Sequence, residues 1–325
     1  MKNLINKLYF ATFLTLFLGF SHAKAELQVV TSIKPIHSLA SMLMDGIGAP
    51  KLIVDGSNSP HNFTLKPSHA KMLQNADLVF WVGEDVETFL EKPLATVAKK
   101  AKKIELMEIS QIKKLKFREK NIFEGHHDDH GEKKHDDHGH KKHDDHGEKK
   151  HDDHGHAHGE HDPHIWLDPL NAKVILNVMA KNMKMMDKKN SSKYDVNLKK
   201  ANKKIESLVS EINKNINKNA KYVVFHDAYQ YFENRFGLKT LGALTVNTDV
   251  LPGAEQLKDI RKVIKKEKAK CIFSEPQFNP KIIKAIAKDM SLKTGVLDPL
   301  GADLKNDKNL YFKLINNLSS SLKKC

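Results

Sequence analysis

Cysteine is scarce in this chain, which has only Cys271 and Cys325 among its 325 residues. Neither lies near the N-terminus, and this excludes anchoring through a lipid-modified cysteine there. Long hydrophobic runs are also lacking. The apolar run at 8–20 is shorter than the roughly 20 residues that a transmembrane helix needs, and no later segment approaches that length. We therefore expect no direct membrane anchor.

The first 25 residues have the composition of an export signal. Lys2 and Lys7 precede or flank the apolar run, and Ala23-Lys24-Ala25 provides a small-x-small cleavage site. This three-part pattern predicts a secretory signal peptide over residues 1–25 that is removed from the mature protein. An exported protein without an anchor fits the periplasm of a Gram-negative bacterium best.

Export makes the cysteine pair informative, because disulfides persist in oxidising compartments. Cys271 begins the apolar run Cys271-Ile272-Phe273, which predicts a buried strand, whereas Cys325 ends a helical segment. The alternative to a disulfide is two independent thiols, one buried and one at a frayed helix end. We favour the disulfide.

The basic excess of the chain does not indicate a nucleic-acid partner. The net charge is +14, and residues 126–161 carry six Lys against eleven Asp and Glu, so the remainder is near +19. These lysines are scattered over predicted helical faces, with no clustered aromatic side chains on which bases could stack. We expect no nucleic-acid binding.

A histidine-rich tract occupies residues 126–161, which hold thirteen of the nineteen histidines. The unit His-Asp-Asp-His-Gly occurs four times, with an eight-residue period. Without large aliphatic residues the tract cannot form a core, so it predicts a disordered loop with weak metal sites. The alternative is a solvated spacer. The expected low-affinity ligands are His127, His130, His135, His138, His143, His146, His151 and His154.

Outside the tract, short apolar runs alternate with helical patterns, which predicts parallel βαβ units and an α/β fold. Apolar residues between 194 and 216 follow spacings of three and four, which predicts one long helix of about 39 Å over 191–216. We therefore expect two βα lobes with mainly parallel sheets, joined by this helix. The expected divisions are a signal peptide 1–25, an N-terminal lobe 26–186 with the loop 125–162, a linking helix 187–218, and a C-terminal lobe 219–325.

Polar side chains stand where predicted strands end, the usual place for ligands in open α/β sheets. His61 follows the second strand, and His226, Glu275 and Asp298 follow strands of the second lobe. His164 follows the tract. Each has a plainer explanation: a solvated loop histidine, a helix cap, or a turn at Asp298-Pro299. Their number, in a chain with a metal-ligand tract, favours a binding cleft between the lobes.

Several motifs together resemble those of one known family, the periplasmic zinc-binding proteins of ABC uptake systems, the ZnuA type. The resemblance covers essentially all of the mature chain and includes a histidine-rich insertion before the second ligand motif. The motifs are Ser59-Pro60-His61-Asn62-Phe63-Thr64, His164-Ile165-Trp166-Leu167-Asp168-Pro169, Phe225-His226-Asp227-Ala228-Tyr229, Ser274-Glu275-Pro276-Gln277-Phe278 and Leu297-Asp298-Pro299-Leu300-Gly301.

The resemblance implies a monomeric solute-binding protein that carries zinc as substrate between two lobes and delivers it to a membrane permease. It implies His61, His164 and His226 as ligands. Manganese-binding relatives carry a carboxylate in place of His226, so imidazole there favours zinc. Water or a nearby carboxylate can fill the fourth position, for which Asp298 is our candidate. The resemblance also pairs Cys271 with Cys325.

Two other functions share these residues. A zinc hydrolase also uses three protein ligands and an open position, but it needs a general base and a substrate pocket. The chain lacks a His-Glu-x-x-His helix, although Glu275 or Asp298 could act as a base. A panel of esters and peptides tests for hydrolysis. A periplasmic metal store or adhesin on the same scaffold is separated from a transporter component by growth under chelation.

Overall fold

A computed structural model of the chain describes residues 26–118, 120–122, 159–246, 248 and 252–325. The expected signal peptide and the eight expected low-affinity histidines of the tract lie outside the described residues. Among the described helices, none is long and apolar enough to cross a membrane.

The first sheet has four parallel strands in the order β2-β1-β3-β4. Its central strand β1 is buried at all five positions, as expected of a parallel strand covered on both faces. Three helices connect the strands. The elements of this lobe are β1 (Val29–Ile33), α1 (Lys34–Leu43), β2 (Lys51–Val54), α2 (Pro67–Gln74), β3 (Leu78–Trp81), α3 (Glu84–Thr96) and β4 (Lys102–Glu105).

The second sheet repeats this arrangement, with four parallel strands in the order β6-β5-β7-β8. In each sheet, the strand that comes first in the sequence pairs with the second and the third strands. Its C-terminal end therefore lies between the C-terminal ends of those two strands. The elements are β5 (Tyr222–His226), α6 (Gln230–Phe236), β6 (Ala243–Thr245), α7 (Ala254–Glu267), β7 (Cys271–Ser274), α8 (Lys281–Met290), β8 (Lys293–Val296) and α9 (Leu310–Lys323).

In the sequence, two long helices separate the strands of the first sheet from those of the second. They are α4 (Pro169–Met186) and α5 (Ser191–Asn215), and they pack against each other. The side chain of Asp168 accepts a hydrogen bond from the backbone N–H of Leu170 and so caps α4 at its N-terminus. Helix α5 has 25 residues. Its buried side chains follow the predicted spacing: Tyr194, Ala201, Ile205, Leu208 and Ile212. The prediction of two parallel α/β sheets with one long helix is confirmed.

The C-terminal helix α9 packs against α1 and α5, although its sequence follows the second sheet. A disulfide joins Cys271, at the start of β7, to Cys325 just after α9. The predicted pairing is therefore present. It links the second sheet covalently to a helix that packs on α1 and α5, although both cysteines fall within the expected C-terminal lobe 219–325.

Two segments that flank the histidine-rich tract in the chain pair in a short antiparallel stem, which we define as residues 115–117 and 160–162. The backbone N–H of Phe117 donates to the carbonyl of Glu160, and that of Asp162 donates to the carbonyl of Leu115. Lys116 and His161 form the bridge between these bonds. Beyond the stem, Ile122 forms a second isolated bridge, with Gly242 next to β6.

Glu87 of α3 is a fully buried carboxyl group that titrates near neutrality. One of its oxygens accepts a hydrogen bond of 2.7 Å from the backbone N–H of Val82. Burial raises the pKa of Glu87 to about 7, although hydrogen bonds such as the one from Val82 oppose this shift. The folded state therefore holds the carboxyl proton more tightly than the unfolded chain does.

We predict that the free energy of unfolding depends on pH through Glu87. Because its pKa is higher in the folded state, its stabilising contribution is complete below about pH 4.5 and is lost as pH rises to about 7. Glu87→Gln should flatten this part of the profile, measured by urea unfolding between these pH values. The exposed Glu91→Gln on the same helix should leave the profile unchanged. A Glu87→Gln profile as steep as wild type would contradict the prediction.

Candidate metal centre

Three histidines from separate parts of the chain converge on one point. One ring nitrogen from each of His61, His164 and His226 lies within 4.8 Å of the other two. The ring centroids are 5.0 Å apart for His164 and His226, and 5.6–5.8 Å from His61 to either one. Three imidazole nitrogens at these separations can face a single ion.

His226 is the last residue of β5 and is only 4% exposed. Glu275 follows β7, the strand that pairs with β5, so the two side chains meet at the carboxyl edge of the second sheet. The Nδ1 atom of His226 lies 3.2–3.3 Å from both carboxylate oxygens of Glu275. Burial alone would lower the pKa of His226, but the carboxylates of Glu275, Asp227 and Asp162 together outweigh burial and raise that pKa.

His164 stands at the start of a short 3-10 helix, Ile165–Leu167, and is also 4% exposed. Its Nδ1 atom lies 2.8 Å from the Oδ1 atom of Asp162. Burial lowers the pKa of His164 well below its ordinary value, and the neighbouring His226 lowers it further. A buried imidazole of this kind is readily available in the neutral form that binds metal ions.

Trp166 connects the His164 segment to the opposite lobe. Its indole N–H donates to the carbonyl of Pro299 at 2.8 Å, and its own carbonyl accepts a hydrogen bond from the Tyr311 hydroxyl. All three groups are buried. Because Trp166 is two residues from His164, these bonds fix the position of that histidine relative to the second lobe.

His61 lies in the loop after β2 and is half-buried. Its backbone N–H donates to the Ser59 hydroxyl, which shapes the turn that carries the ring. The cavity at the three rings has a volume of about 10 Å³, the space that one water molecule requires. The lining residues are Ser59, Pro60, His61, His164, Trp166, His226, Glu275, Phe278, Pro299 and Leu300.

Asp298 follows β8 at the same sheet edge, but it is not among the residues that line this cavity. Its Oδ1 atom accepts hydrogen bonds from the Gln277 side chain and from the backbone N–H groups of Leu300 and Gly301. Its Oδ2 atom accepts one from the backbone N–H of Ala302. The carboxylate thus stabilises the turn that places Pro299 and Leu300 against the histidines.

A buried ionic network lies beside the histidines. The Arg118 guanidinium pairs with Asp227 at 2.8 Å and with Glu233 at 3.2 Å, and Glu233 also accepts a hydrogen bond from the Thr240 hydroxyl. Burial raises the pKa of Asp227 despite the nearby Arg118. Burial likewise raises the pKa of Asp162. Carboxylates therefore outnumber cations in this part of the interior, which favours a bound cation.

The sequence analysis identified the three histidines and Glu275 as candidate site residues, but it did not identify Asp162 or Arg118. Asp162 stands two residues before His164, in the sequence Asp162-Pro163-His164, which is the signal that could have revealed it. Arg118 offered no such signal, because its partners Asp227 and Glu233 are more than a hundred residues away in the chain.

A family model described as ZnuA, zinc-uptake complex component A periplasmic, matches residues 29–325. Two similar proteins are each named High-affinity zinc uptake system protein ZnuA. That of Brucella abortus (strain 2308) is 46% identical over 333 residues, covering 100% of this chain and 99% of that protein. That of Yersinia pestis is 37% identical over 313 residues, covering 93% of this chain and 92% of that protein.

The fold is also similar to that of a solved structure described as a crystal structure of ZnuA. The TM-score is 0.70, with 22% sequence identity, and the alignment covers 92% of this chain and 100% of that chain. At this identity the likeness shows the fold: two parallel sheets with their helices in the same arrangement.

We predict that Asp298→Ala lowers the free energy of unfolding by about 1–3 kcal/mol, because it leaves buried or half-buried backbone N–H groups of the turn without their acceptor. Chemical denaturation of the metal-free protein measures this. Asp303→Ala, which removes an exposed carboxylate nearby, serves as the control and should have little effect. Equal stability of the two variants would contradict the structural role of Asp298.

Proposed function

Because the chain belongs to the ZnuA family, whose model spans residues 29–325, we propose that it captures zinc in the periplasm and delivers it to an ABC-type membrane permease. The observation that carries the proposal is the convergence of His61, His164 and His226. Zinc is the transported substrate, and the proposal requires no reaction at the site.

The donor atoms support zinc over harder cations. Zn²⁺ accepts three imidazole nitrogens with one further ligand in tetrahedral geometry, whereas carboxylate and carbonyl oxygens suit Mg²⁺, Ca²⁺ and Mn²⁺. Among the described residues, the group that could hold an ion contains histidines alone. Manganese would have to bind a site composed mainly of nitrogen donors.

The fourth ligand is proposed to be water or a carboxylate. Asp298 accepts four hydrogen bonds in and beside its turn, and it does not line the cavity. Glu275 lies at the cavity already, although its carboxylate contacts His226. A water molecule fits the volume available and leaves both side chains in place.

A periplasmic location is supported by the family description and by the disulfide between Cys271 and Cys325. Disulfides persist in oxidising compartments such as the periplasm. The proposed boundaries are a signal peptide 1–25, an N-terminal lobe 26–186, a linking helix 187–218 and a C-terminal lobe 219–325. These boundaries place the histidine cavity between the lobes.

We predict that replacing His61, His164 or His226 by alanine weakens the tightest zinc-binding step by well over tenfold, since each removes one of three nitrogen ligands. Calorimetric titration of metal-free protein lacking residues 126–158 measures this without zinc bound by the tract. His69→Ala, which removes a histidine whose Nδ1 atom accepts from the Lys66 backbone instead, is the control. Any one of the three that keeps wild-type affinity is not a ligand.

We predict that deleting residues 126–158, with the stem kept, lowers zinc stoichiometry by at least one but leaves the tightest step intact. Ordering a flexible chain around an ion costs about 1–2 kcal/mol of backbone entropy per residue, which keeps such sites weak. Titrations of full-length and deleted protein test this. Loss of the tight step in a folded deletion variant would show that the tract supplies a primary ligand.

A further inference from the structure

We propose that Asp162 and Glu275 are positioning residues that direct the Nε2 atoms of His164 and His226 toward the shared centre. This inference rests on the proposed function, because it assigns those two histidines as zinc ligands. It adds two carboxylates that act through the imidazole rings and not on the ion itself.

Asp162 is held so that its carboxylate cannot move away from the His164 ring. Its Oδ1 atom lies 2.8 Å from Nδ1 of His164 and accepts the backbone N–H of the same residue at 2.9 Å. Its backbone N–H donates to the Leu115 carbonyl, and its carbonyl accepts a hydrogen bond of 2.7 Å from the Tyr231 hydroxyl. With 2% exposure, Asp162 has little water as an alternative partner.

Glu275 takes the equivalent place beside His226, although it comes from a different part of the chain. Both of its oxygens lie within 3.3 Å of Nδ1 of His226, and the residue is 4% exposed. The Phe278 ring meets the imidazole edge-on, with 6.0 Å between centroids, and limits its rotation. In both His164 and His226, therefore, a buried carboxylate lies beside the Nδ1 atom of the imidazole.

A carboxylate beside Nδ1 determines which nitrogen of a neutral imidazole carries the proton. The ring carries one N–H and one lone pair, and the hydrogen bond made by one nitrogen determines which nitrogen has the proton. A carboxylate that accepts the Nδ1–H leaves the lone pair on Nε2, the nitrogen that is then available to an ion. In the opposite tautomer, an N–H group would point at the zinc position and would exclude the ion.

The tautomer can be measured in metal-free protein by nitrogen-15 NMR of the imidazole rings at about pH 8. We expect the wild-type protein to hold both rings in the Nδ1–H form. Asp162→Ala should release the His164 ring, and Glu275→Ala the His226 ring, to mixtures that include the Nε2–H form. Asp162→Asn and Glu275→Gln should keep the Nδ1–H form, because an amide oxygen still accepts that hydrogen bond.

Zinc affinity and the absorption spectrum of bound Co²⁺ supply the second measurement. Loss of a carboxylate that orients a ligand histidine typically weakens metal binding by about 10–100-fold. We expect this loss for each alanine variant, with a changed cobalt spectrum, and a smaller loss for Asp162→Asn and Glu275→Gln. Asp168→Asn is the matched control, since this buried carboxylate pairs with Arg235 and caps α4.

The outcomes separate this inference from the proposed function. An unchanged tautomer or unchanged affinity in folded Asp162→Ala overturns the role of Asp162, and the same results for Glu275→Ala overturn that of Glu275. If an alanine variant does not fold, unchanged affinity in the corresponding amide variant overturns the role. Loss of tight binding in Glu275→Gln with an intact tautomer makes Glu275 a direct ligand. If His61→Ala, His164→Ala and His226→Ala all leave zinc affinity unchanged while the tautomers of the remaining rings respond as expected, the proposed function fails, but the control of the tautomers by Asp162 and Glu275 survives.

Discussion

One continuous apolar core packs the two lobes together, and the geometry of the histidine cavity depends on it. The core includes residues of β1 and β3, the long helix α5, strands β5 and β7, and helix α9. Because a close-packed interior is hardly compressible, a helix or strand that moves also displaces the elements packed against it. The three histidines are thereby held by elements of one packed body. Hydrogen bonds such as that between Trp166 and Pro299 then fix details that apolar packing alone would leave adjustable.

The interior beside this core is unusually ionic for a chain with a strong basic excess. Asp162, Asp227, Glu233 and Glu275 are all buried, and the Arg118 guanidinium pairs with Asp227 and Glu233. Buried carboxylates are costly unless hydrogen bonds or cations compensate them. A divalent ion at the cavity would supply that compensation. Positive charge therefore lies mostly on the surface, while the interior of the site is arranged to attract a cation.

Much of the fold could be predicted because periodicity reports burial directly. Apolar spacings of three and four identified α5, and continuous apolar runs identified strands such as β5 and β7. The convergence of His61 and His226 followed from the rule that ligands lie at strand carboxyl ends.

The remaining features depend on contacts that no local pattern records. The amphipathic pattern of α9 predicts a buried face, but it does not specify that α1 and α5 cover that face. Asp298 has the sequence position expected of a ligand, yet its carboxylate accepts hydrogen bonds from its own turn. The ion pairs of Arg118 with Asp227 and Glu233 join residues that are remote in the chain. Sequence reasoning thus singled out the three histidines that converge in the fold, together with Glu275, but not the contact between Asp162 and His164.

The stem at the base of the histidine-rich tract has a consequence for how this chain can evolve. Backbone hydrogen bonds join Leu115–Phe117 to Glu160–Asp162, two described segments on either side of the repeats. For a flexible segment, each doubling of length costs only about 0.6 kcal/mol in closure entropy. Repeats of His-Asp-Asp-His-Gly can therefore be gained or lost by duplication and deletion of coding sequence at little cost in folding. Selection is free to adjust the number of histidines without disturbing His164, two residues beyond the stem.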